Sequence, residues 1–177
     1  ASGFCVAILD EALELRKAGI KLPILVLGIS NPDDAQLIAD SKISVTVSSV
    51  SWLKRANRIL GRQPSRNRLR VHLGLDTGMG RIGFQTTAEL KPALDYLHGH
   101  SNHLLFEGIF THFATADSSN DHYFDLQLKR FKKLMQVVKP RPKYVHVSNS
   151  ATSLWHQACN GNLIRFGAAG YGMNPSG

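Results

Sequence analysis

Cysteine and long apolar runs are both scarce in this sequence. No stretch approaches the roughly 20 apolar residues of a membrane-spanning helix, so we expect no membrane partner. The N-terminal segment 1–13 lacks the basic start and cleavage site of a secretory signal. Only two cysteines occur, Cys5 in an apolar run and Cys159 in a polar loop. They do not make a disulfide framework, so we expect a cytoplasmic protein.

Acidic residues are also few. The 13 Asp and Glu face 21 Lys and Arg, which gives a net charge of +8, and seven of the basic residues lie in segment 54–70. Nucleic-acid binding is one explanation, but no aromatic residue interleaves with these charges after Trp52, and no zinc, RRM or KH signature occurs. A solvated helix face and a surface loop explain the cluster more simply. We therefore expect no nucleic-acid partner, and an acidic or phosphorylated small ligand also suits the charge.

Short runs rich in Val, Ile and Leu alternate with amphipathic segments along the chain. Continuous apolar runs are typical of strands buried on both faces of a parallel sheet. Their alternation with helices predicts βαβ units in either a barrel or a doubly wound sheet. The predicted strands are 4–8, 24–27, 44–47, 69–75, 105–110, 144–147 and 163–166.

Helical periodicity is clearest in two segments, 90–97 and 124–138. Each places apolar residues at steps of three and four, on one face of a helix. Asn31 before Pro32 and two acidic residues is typical of a helix start. The predicted apolar faces are Leu90, Ala93, Leu94 and Leu97, and Phe124, Leu128, Phe131, Met135 and Val138.

Seven strands are one fewer than a complete (β/α)₈ barrel has. Such a barrel typically needs about 250 residues, whereas this chain has 177 and begins almost directly in a strand. We therefore predict an α/β fold, an incomplete TIM-type barrel in which residues 1–177 form a single domain. The chain would contain about strands two to eight, with the first strand upstream.

Polar clusters follow four of the predicted strands. In a barrel the C-terminal ends of the strands carry the active site, so we expect Arg81, His112, Ser150 and Arg165 to share one rim. The clusters are DTGMGR at 76–81, THFA at 111–114, SNS at 148–150 and RFGAAG at 165–170.

The last two clusters together favour a phosphate site, which barrels commonly form after strands seven and eight. Gly167 and Gly170 allow close approach of the backbone to an anion. Ser150 is expected to cap the following helix with its hydroxyl towards that anion. Tight turns that close the barrel are the alternative explanation of the glycines.

Two further side chains need partners. Arg165 lies in an apolar run, where a lone charge is prohibitively costly, so either a structural ion pair or a ligand must meet it. His112 follows an apolar run, and a core histidine bonded to a carbonyl is the alternative to a site residue. His146 lies within a predicted strand and suits a supporting position.

No His and Cys spacing typical of zinc occurs, so we predict no metal.

Four blocks of the sequence resemble the alanine racemase family: DTGMGRIGF at 76–84, GIFTHFATAD at 108–117, HVSNSAT at 146–152 and IRFGAAGYGMNPSG at 164–177. Their order and spacing match that family along essentially the whole chain. The resemblance implies the pyridoxal phosphate (PLP) barrel of a fold-type III enzyme. The resemblance further implies a cytoplasmic homodimer that would interconvert L-alanine and D-alanine for the bacterial cell wall.

The resemblance also implies residue roles. Arg165 would contact the pyridine nitrogen of PLP with support from His146, and His112 would stack on the ring. Arg81 would reach the ring phenolate oxygen and the carboxylate of the amino-acid substrate, and we rank it as the catalytic residue. Asn149 would brace the cofactor loop. The phosphate would be held by Ser150, Gly167 and Ala168.

Two catalytic groups of the family fall outside this chain. The Schiff-base lysine belongs to a segment before Ala1, and the catalytic tyrosine to a C-terminal β domain of the partner subunit. We therefore expect residues 1–177 alone to be inactive. Many family members also have a lysine, which can be carbamylated, where this chain has Gly74. An anion, water or another protein group must then hold Arg81.

Two other functions remain open. One is a racemase of another amino acid, such as serine, or of broad specificity. The other is a non-catalytic PLP carrier with the same barrel and no C-terminal domain. The ending YGMNPSG at 171–177 resembles the racemase junction between barrel and β domain, which favours the racemase.

Overall fold

Strands and helices alternate along the chain, as predicted. A computed structural model describes residues 1–62, 67–156 and 161–175, and Cys159 and the last two residues of block 164–177 lie outside these ranges. The strands are β1 (Phe4–Val6), β2 (Ile24–Ile29), β3 (Ser44–Val47), β4 (Leu69–Leu75), β5 (Leu104–Thr111) and β6 (Tyr144–His146). The α-helices are α1 (Leu9–Lys17), α2 (Ala35–Asp40), α3 (Val50–Leu60), α4 (Thr87–Gly99), α5 (His122–Met135) and α6 (Ser150–Trp155), with 3₁₀ helices at Pro32–Asp34 and Ala168–Tyr171.

Strand order in the sheet follows chain order from β1 to β6. The pairings β1–β2, β2–β3, β3–β4 and β5–β6 are all parallel. A doubly wound sheet would reverse its order at a switch point, whereas consecutive parallel strands are the arrangement of a (β/α)₈ barrel. The six strands begin and end within two residues of their predicted bounds.

The seventh predicted strand, 163–166, is wrong as a strand. Ile164 forms a single parallel bridge with Ser148, and the Arg165 N–H donates to Ser148 O at 2.9 Å. Gly167 then leaves the extended region, with φ −108° and ψ −96°, and a 3₁₀ helix begins at Ala168. The chain therefore turns away after one bridge, before a strand can form.

The first of two compact units comprises Ala1–Leu73 and Lys91–Glu107. All four residues of β3 are buried, as expected for a parallel strand covered on both faces. The predicted helix start is confirmed, because Asn31 Oδ1 accepts the Asp33 N–H at 3.1 Å. The buried face of α3 consists of Trp52, Leu53, Ala56 and Leu60.

A polar cluster is buried inside this unit around Glu107. The Ser44 hydroxyl donates to Glu107 Oε2 at 2.5 Å, and His72 Nε2 lies 3.2 Å from the same oxygen. Arg70 Nη1 lies 4.0 Å from Glu107 Oε1. Burial opposes ionisation of Glu107, but the hydrogen bonds of His72 and Ser44 and the nearby charges hold its pKa below the ordinary value. The carboxylate is thus compensated, as a buried charge must be.

The second unit comprises Gly74–Leu90 and Gly108–Gly177. Within it β5 and β6 pair through Gly108 with Tyr144 and Phe110 with His146. The helix predicted at 124–138 is α5, but it ends at Met135. It buries Phe124, Gln127, Phe131 and Leu134, whereas Leu128 and Met135 of the predicted apolar face are half-buried. All eight residues to which the sequence analysis assigns a site role belong to this unit. Across the described residues, no helix has both the length and the apolar character needed to cross a bilayer.

Candidate functional site

The loop that follows β4 is folded tightly around Asp76. The N–H groups of Gly78 and Gly80 each donate to Asp76 Oδ1 at 3.0 Å. Burial opposes ionisation of this carboxyl, but the Gly80 and Gly78 N–H groups and the Gln85 amide hold its pKa below the ordinary value. Gly83 has φ +137°, and a Cβ there would lie 2.3 Å from Asp76 N. The loop therefore requires glycine at position 83.

Arg81 lies in this loop, and its side chain is exposed. Among residues 1–62, 67–156 and 161–175 no hydrogen bond joins Arg81 to another group. Its charge is one of the causes that lower the pKa of His112, after burial and the charge of Arg165. Arg81 is thus available to an anionic ligand.

Arg165 is a buried cation, only 8% exposed. Its Nη1 donates to His146 O at 3.0 Å and to His146 Nδ1 at 2.6 Å, and its Nη2 donates to Thr111 O at 2.8 Å. The guanidinium carbon lies 5.3 Å from the centre of the Phe110 ring. Acceptors on two sides therefore fix the plane of the guanidinium.

Two histidines flank Arg165. His146 is fully buried and stacks on Phe110, with ring centroids 4.8 Å apart. Because arginine only donates, His146 Nδ1 is the acceptor and its ring carries the proton on Nε2. His112 Nδ1 lies 3.5 Å from Arg165 Nη2. Burial, with the charges of Arg165 and Arg81, lowers the pKa of His112 from 6.5 to about 4, so this ring is neutral at pH 7.

The serine and glycine clusters meet at a single oxygen. Ser150 is buried, and its Oγ accepts the N–H of Gly167 at 3.1 Å and of Ala169 at 3.3 Å. Ala168 lies between these two donors at the start of the 3₁₀ helix. A Cβ added to Gly167 would meet no atom within 4 Å. Backbone N–H groups that converge in this way are suitable donors for an anion.

The prediction that Ser150 caps α6 is wrong, because the cap is Asn149. Asn149 has an extended backbone, and its Oδ1 accepts both the N–H and the hydroxyl of Thr152 at 2.9 Å. Its Nδ2 also donates to Phe113 O at 3.4 Å. Ser150 is already helical, so its hydroxyl points to residues 167–169 instead.

The structure thus brings His112, His146 and Arg165 together and joins Ser150 to the 167–169 segment. Arg81 makes no hydrogen bond to any of these residues within the described chain. Nor do the described ranges contain a group of three His, Cys, Asp or Glu side chains suited to a metal ion.

Sequence reasoning missed one buried amide beside this site. Gln127 of α5 is fully buried and bonds to Thr77, His112 and Ala114. A signal was present, because Gln127 lies three residues after Phe124 and four before Phe131, on the apolar face of the helix. A polar residue on such a face needs partners when buried.

Comparison with known proteins identifies the family. Residues 1–175 match the family model described as alanine racemase, N-terminal domain. Alanine racemase of Levilactobacillus brevis is 61% identical over 177 residues, which are 100% of this chain and 47% of that protein. The chain therefore spans about half the length of the curated relatives it matches.

Solved structures agree with this match. The crystal structure of alanine racemase from E. faecalis has a TM-score of 0.94 and 51% identity, covering 99% of this chain and 47% of that one. Histidine racemase from Leuconostoc mesenteroides subsp. sake has a TM-score of 0.93 and 34% identity, with 99% and 47% covered. The predicted fold class, an incomplete TIM-type barrel, is confirmed. The chain belongs to the alanine racemase N-terminal domain family.

Proposed function

We propose that the protein containing this chain is a PLP-dependent alanine racemase, which interconverts L-alanine and D-alanine in the cytoplasm and supplies D-alanine for peptidoglycan. Proteins named alanine racemase match this chain over 99% to 100% of its length. The carrying observation in this structure is Arg165, a buried guanidinium held in a fixed plane beside the neutral ring of His112.

The donor set fits the phosphate of PLP. The N–H groups of Gly167 and Ala169 converge on the hydroxyl oxygen of buried Ser150. Because Gly167 has no side chain, open space remains beside these groups. We assign the phosphate to Ser150, Gly167 and Ala168, with Asn149 bracing the loop by its two-sided hydrogen bonding. When bound, PLP supplies an electron sink that makes the α-hydrogen of an amino acid acidic.

Arg165 is assigned to the pyridine nitrogen of PLP, and His146 to holding Arg165. A guanidinium stays protonated at any working pH, so it donates a hydrogen bond and keeps its proton. The bonds to Thr111 O, His146 O and His146 Nδ1 leave it little freedom to rotate. Arg165 would therefore present a fixed donor and keep that nitrogen unprotonated.

His112 and Arg81 are assigned to the ring and the substrate. A neutral His112 can stack on the cofactor without adding positive charge. Arg81 has an exposed guanidinium with no protein hydrogen bond in the described chain, which suits it to an incoming carboxylate. We assign to it the substrate carboxylate and the ring phenolate oxygen.

The rest of the enzyme is assigned by resemblance. We propose that residues 1–177 form one barrel domain, that the Schiff-base lysine and a C-terminal β domain lie outside it, and that the protein works as a homodimer. The coverage of 47% of the Levilactobacillus brevis relative supports a larger enzyme. A racemase of another amino acid is a second candidate, because the histidine racemase shares this fold over 99% of the chain.

The function is tested with the full-length protein loaded with PLP. We expect D-alanine to form from L-alanine, measured by chiral chromatography, with faster turnover than for L-serine or L-histidine. Faster turnover of another amino acid would assign the second candidate. PLP binding without turnover of any of the three would indicate a carrier.

The cofactor assignment is tested at Ser150. Ser150→Ala in the full-length protein removes one hydrogen bond, so we expect about 1 kcal/mol weaker PLP binding, roughly a fivefold rise in Kd. Gly167→Ala should fit the protein without the cofactor but intrude on the phosphate. Ser153→Ala on the same helix is the matched control, because its hydroxyl bonds to Asn149 O within the helix. Unchanged Kd in both test variants would contradict the assignment.

A further inference from the structure

The second unit contains a buried series of hydrogen bonds in which each hydroxyl donates to the next group. Thr111 Oγ1 donates to Leu75 O at 2.8 Å and lies 2.8 Å from Thr77 Oγ1. The single proton of Thr111 is used on Leu75, so Thr77 must donate to Thr111. Thr77 Oγ1 then accepts from Gln127 Nε2 at 3.2 Å.

Gln127 is the first donor of this hydrogen-bond series. Both N–H bonds of its amide are used. Besides Thr77, its Nε2 donates to His112 O at 3.1 Å, and its Oε1 accepts the Ala114 N–H at 2.8 Å. The residue is 0% exposed. Its amide therefore bonds at once to the loop after β4, which carries Arg81, and to segment 111–114, which carries His112.

Segment 111–114 is held by side chains at three consecutive carbonyls. Arg165 donates to Thr111 O at 2.8 Å, Gln127 to His112 O, and Asn149 to Phe113 O at 3.4 Å. Arg130 and Tyr123, also on α5, bond to the carbonyls of Thr77 and Gly78 at 3.1 and 2.6 Å. The amide of Gln127 bonds to both segments, to Thr77 Oγ1 in one and to His112 O and the Ala114 N–H in the other.

We propose that Gln127 is a positioning residue that sets the placement of Arg81 relative to His112. This inference rests on the proposed function, in which those two side chains face substrate and cofactor. Gln127 bonds to neither of these two side chains. It acts through Thr77 on one side and through the backbone of residues 112–114 on the other.

The test compares variants of the full-length enzyme loaded with PLP. Gln127→Met keeps the length of the side chain and removes all three hydrogen bonds. Misplacement of catalytic groups by about 1 Å can cost on the order of a hundredfold in rate, so we expect kcat to fall between about tenfold and a hundredfold. Leu134→Ala is the matched control, because it lowers the Tm from the same buried face of α5 without a polar contact.

A second pair of variants tests the Thr77 hydroxyl, through which Gln127 is linked to the loop after β4. Thr77→Val keeps the shape and removes the hydroxyl, so its kcat should fall as in Gln127→Met. Thr77→Ser keeps the hydroxyl and should retain nearly wild-type kcat. Equal kcat in Gln127→Met and Leu134→Ala at matched Tm, or equal kcat in Thr77→Val and Thr77→Ser, would overturn the proposal.

Amide hydrogen exchange gives a readout independent of turnover. In Gln127→Met, segments 76–81 and 111–114 should exchange faster than in Leu134→Ala, and unchanged exchange there overturns the positioning role. A wild-type enzyme without racemase activity would instead refute the proposed function. The exchange experiment would still decide whether Gln127 holds the two segments.

Discussion

Individual side chains at this site owe their chemistry to their surroundings. A histidine in water has a pKa near neutrality, but burial and two guanidinium groups lower that of His112 to about 4. Protonated His112 would add a third positive charge beside Arg165 and Arg81. The fold therefore keeps the ring neutral over the whole range in which a racemase would work.

The lowered pKa of His112 predicts a pH dependence of stability. Between pH 6.5 and about 4 the unfolded chain binds a proton at this histidine and the folded protein does not. Stability should therefore fall as the pH drops through this window, by about 3 kcal/mol in total for this group. Urea unfolding of the cofactor-free full-length protein from pH 7 to 4 measures the effect.

His112→Phe provides the comparison, because it keeps an aromatic ring and cannot titrate. The variant should lose less stability than wild type over the same pH range. Parallel curves for the two proteins would show that His112 is not held neutral. Imidazole resonances of His112 followed by NMR would give the same answer directly.

Secondary-structure elements were more predictable than the side-chain contacts between them. Six strands follow from continuous apolar runs, which are buried on both faces of a parallel sheet. The helices at 90–97 and 124–138 follow from apolar periodicity, because each buries one face. The prediction of a strand at 163–166 was wrong because the backbone turns at Gly167 after a single bridge. The predicted cap of α6 was wrong by one residue, because Asn149 and Ser150 both have side chains that can cap a helix.

Contacts between distant segments explain what sequence could not reveal. Arg165 was expected to need partners, but nothing in its neighbours along the chain indicates Thr111 O, 54 residues away. Gln127 lies on the apolar face of its helix and Glu107 in the middle of β5, but the residues next to them in sequence do not indicate their partners. Those partners are set by tertiary packing, which local patterns do not encode.

At the scale of the whole molecule, the two units hold different polar groups. The unit of Ala1–Leu73 and Lys91–Glu107 buries the Glu107 cluster, which bonds to protein partners. The unit of Gly74–Leu90 and Gly108–Gly177 contains every assigned site residue. Arg81 is exposed and Gly167 has open space beside it, so we expect a ligand to bind in this unit.

The roles proposed for the residues of this chain are to bind and orient, and none of them is assigned the exchange of the α-hydrogen. Racemisation needs an acid and a base on opposite faces of the α-carbon, and the resemblance places both outside residues 1–177. A protein limited to these 177 residues should therefore form no D-alanine when supplied with PLP and L-alanine. The full-length enzyme at equal concentration should form it readily. Circular dichroism checks that the shorter chain is folded, and D-alanine produced by that folded chain would place the acid and the base within residues 1–177.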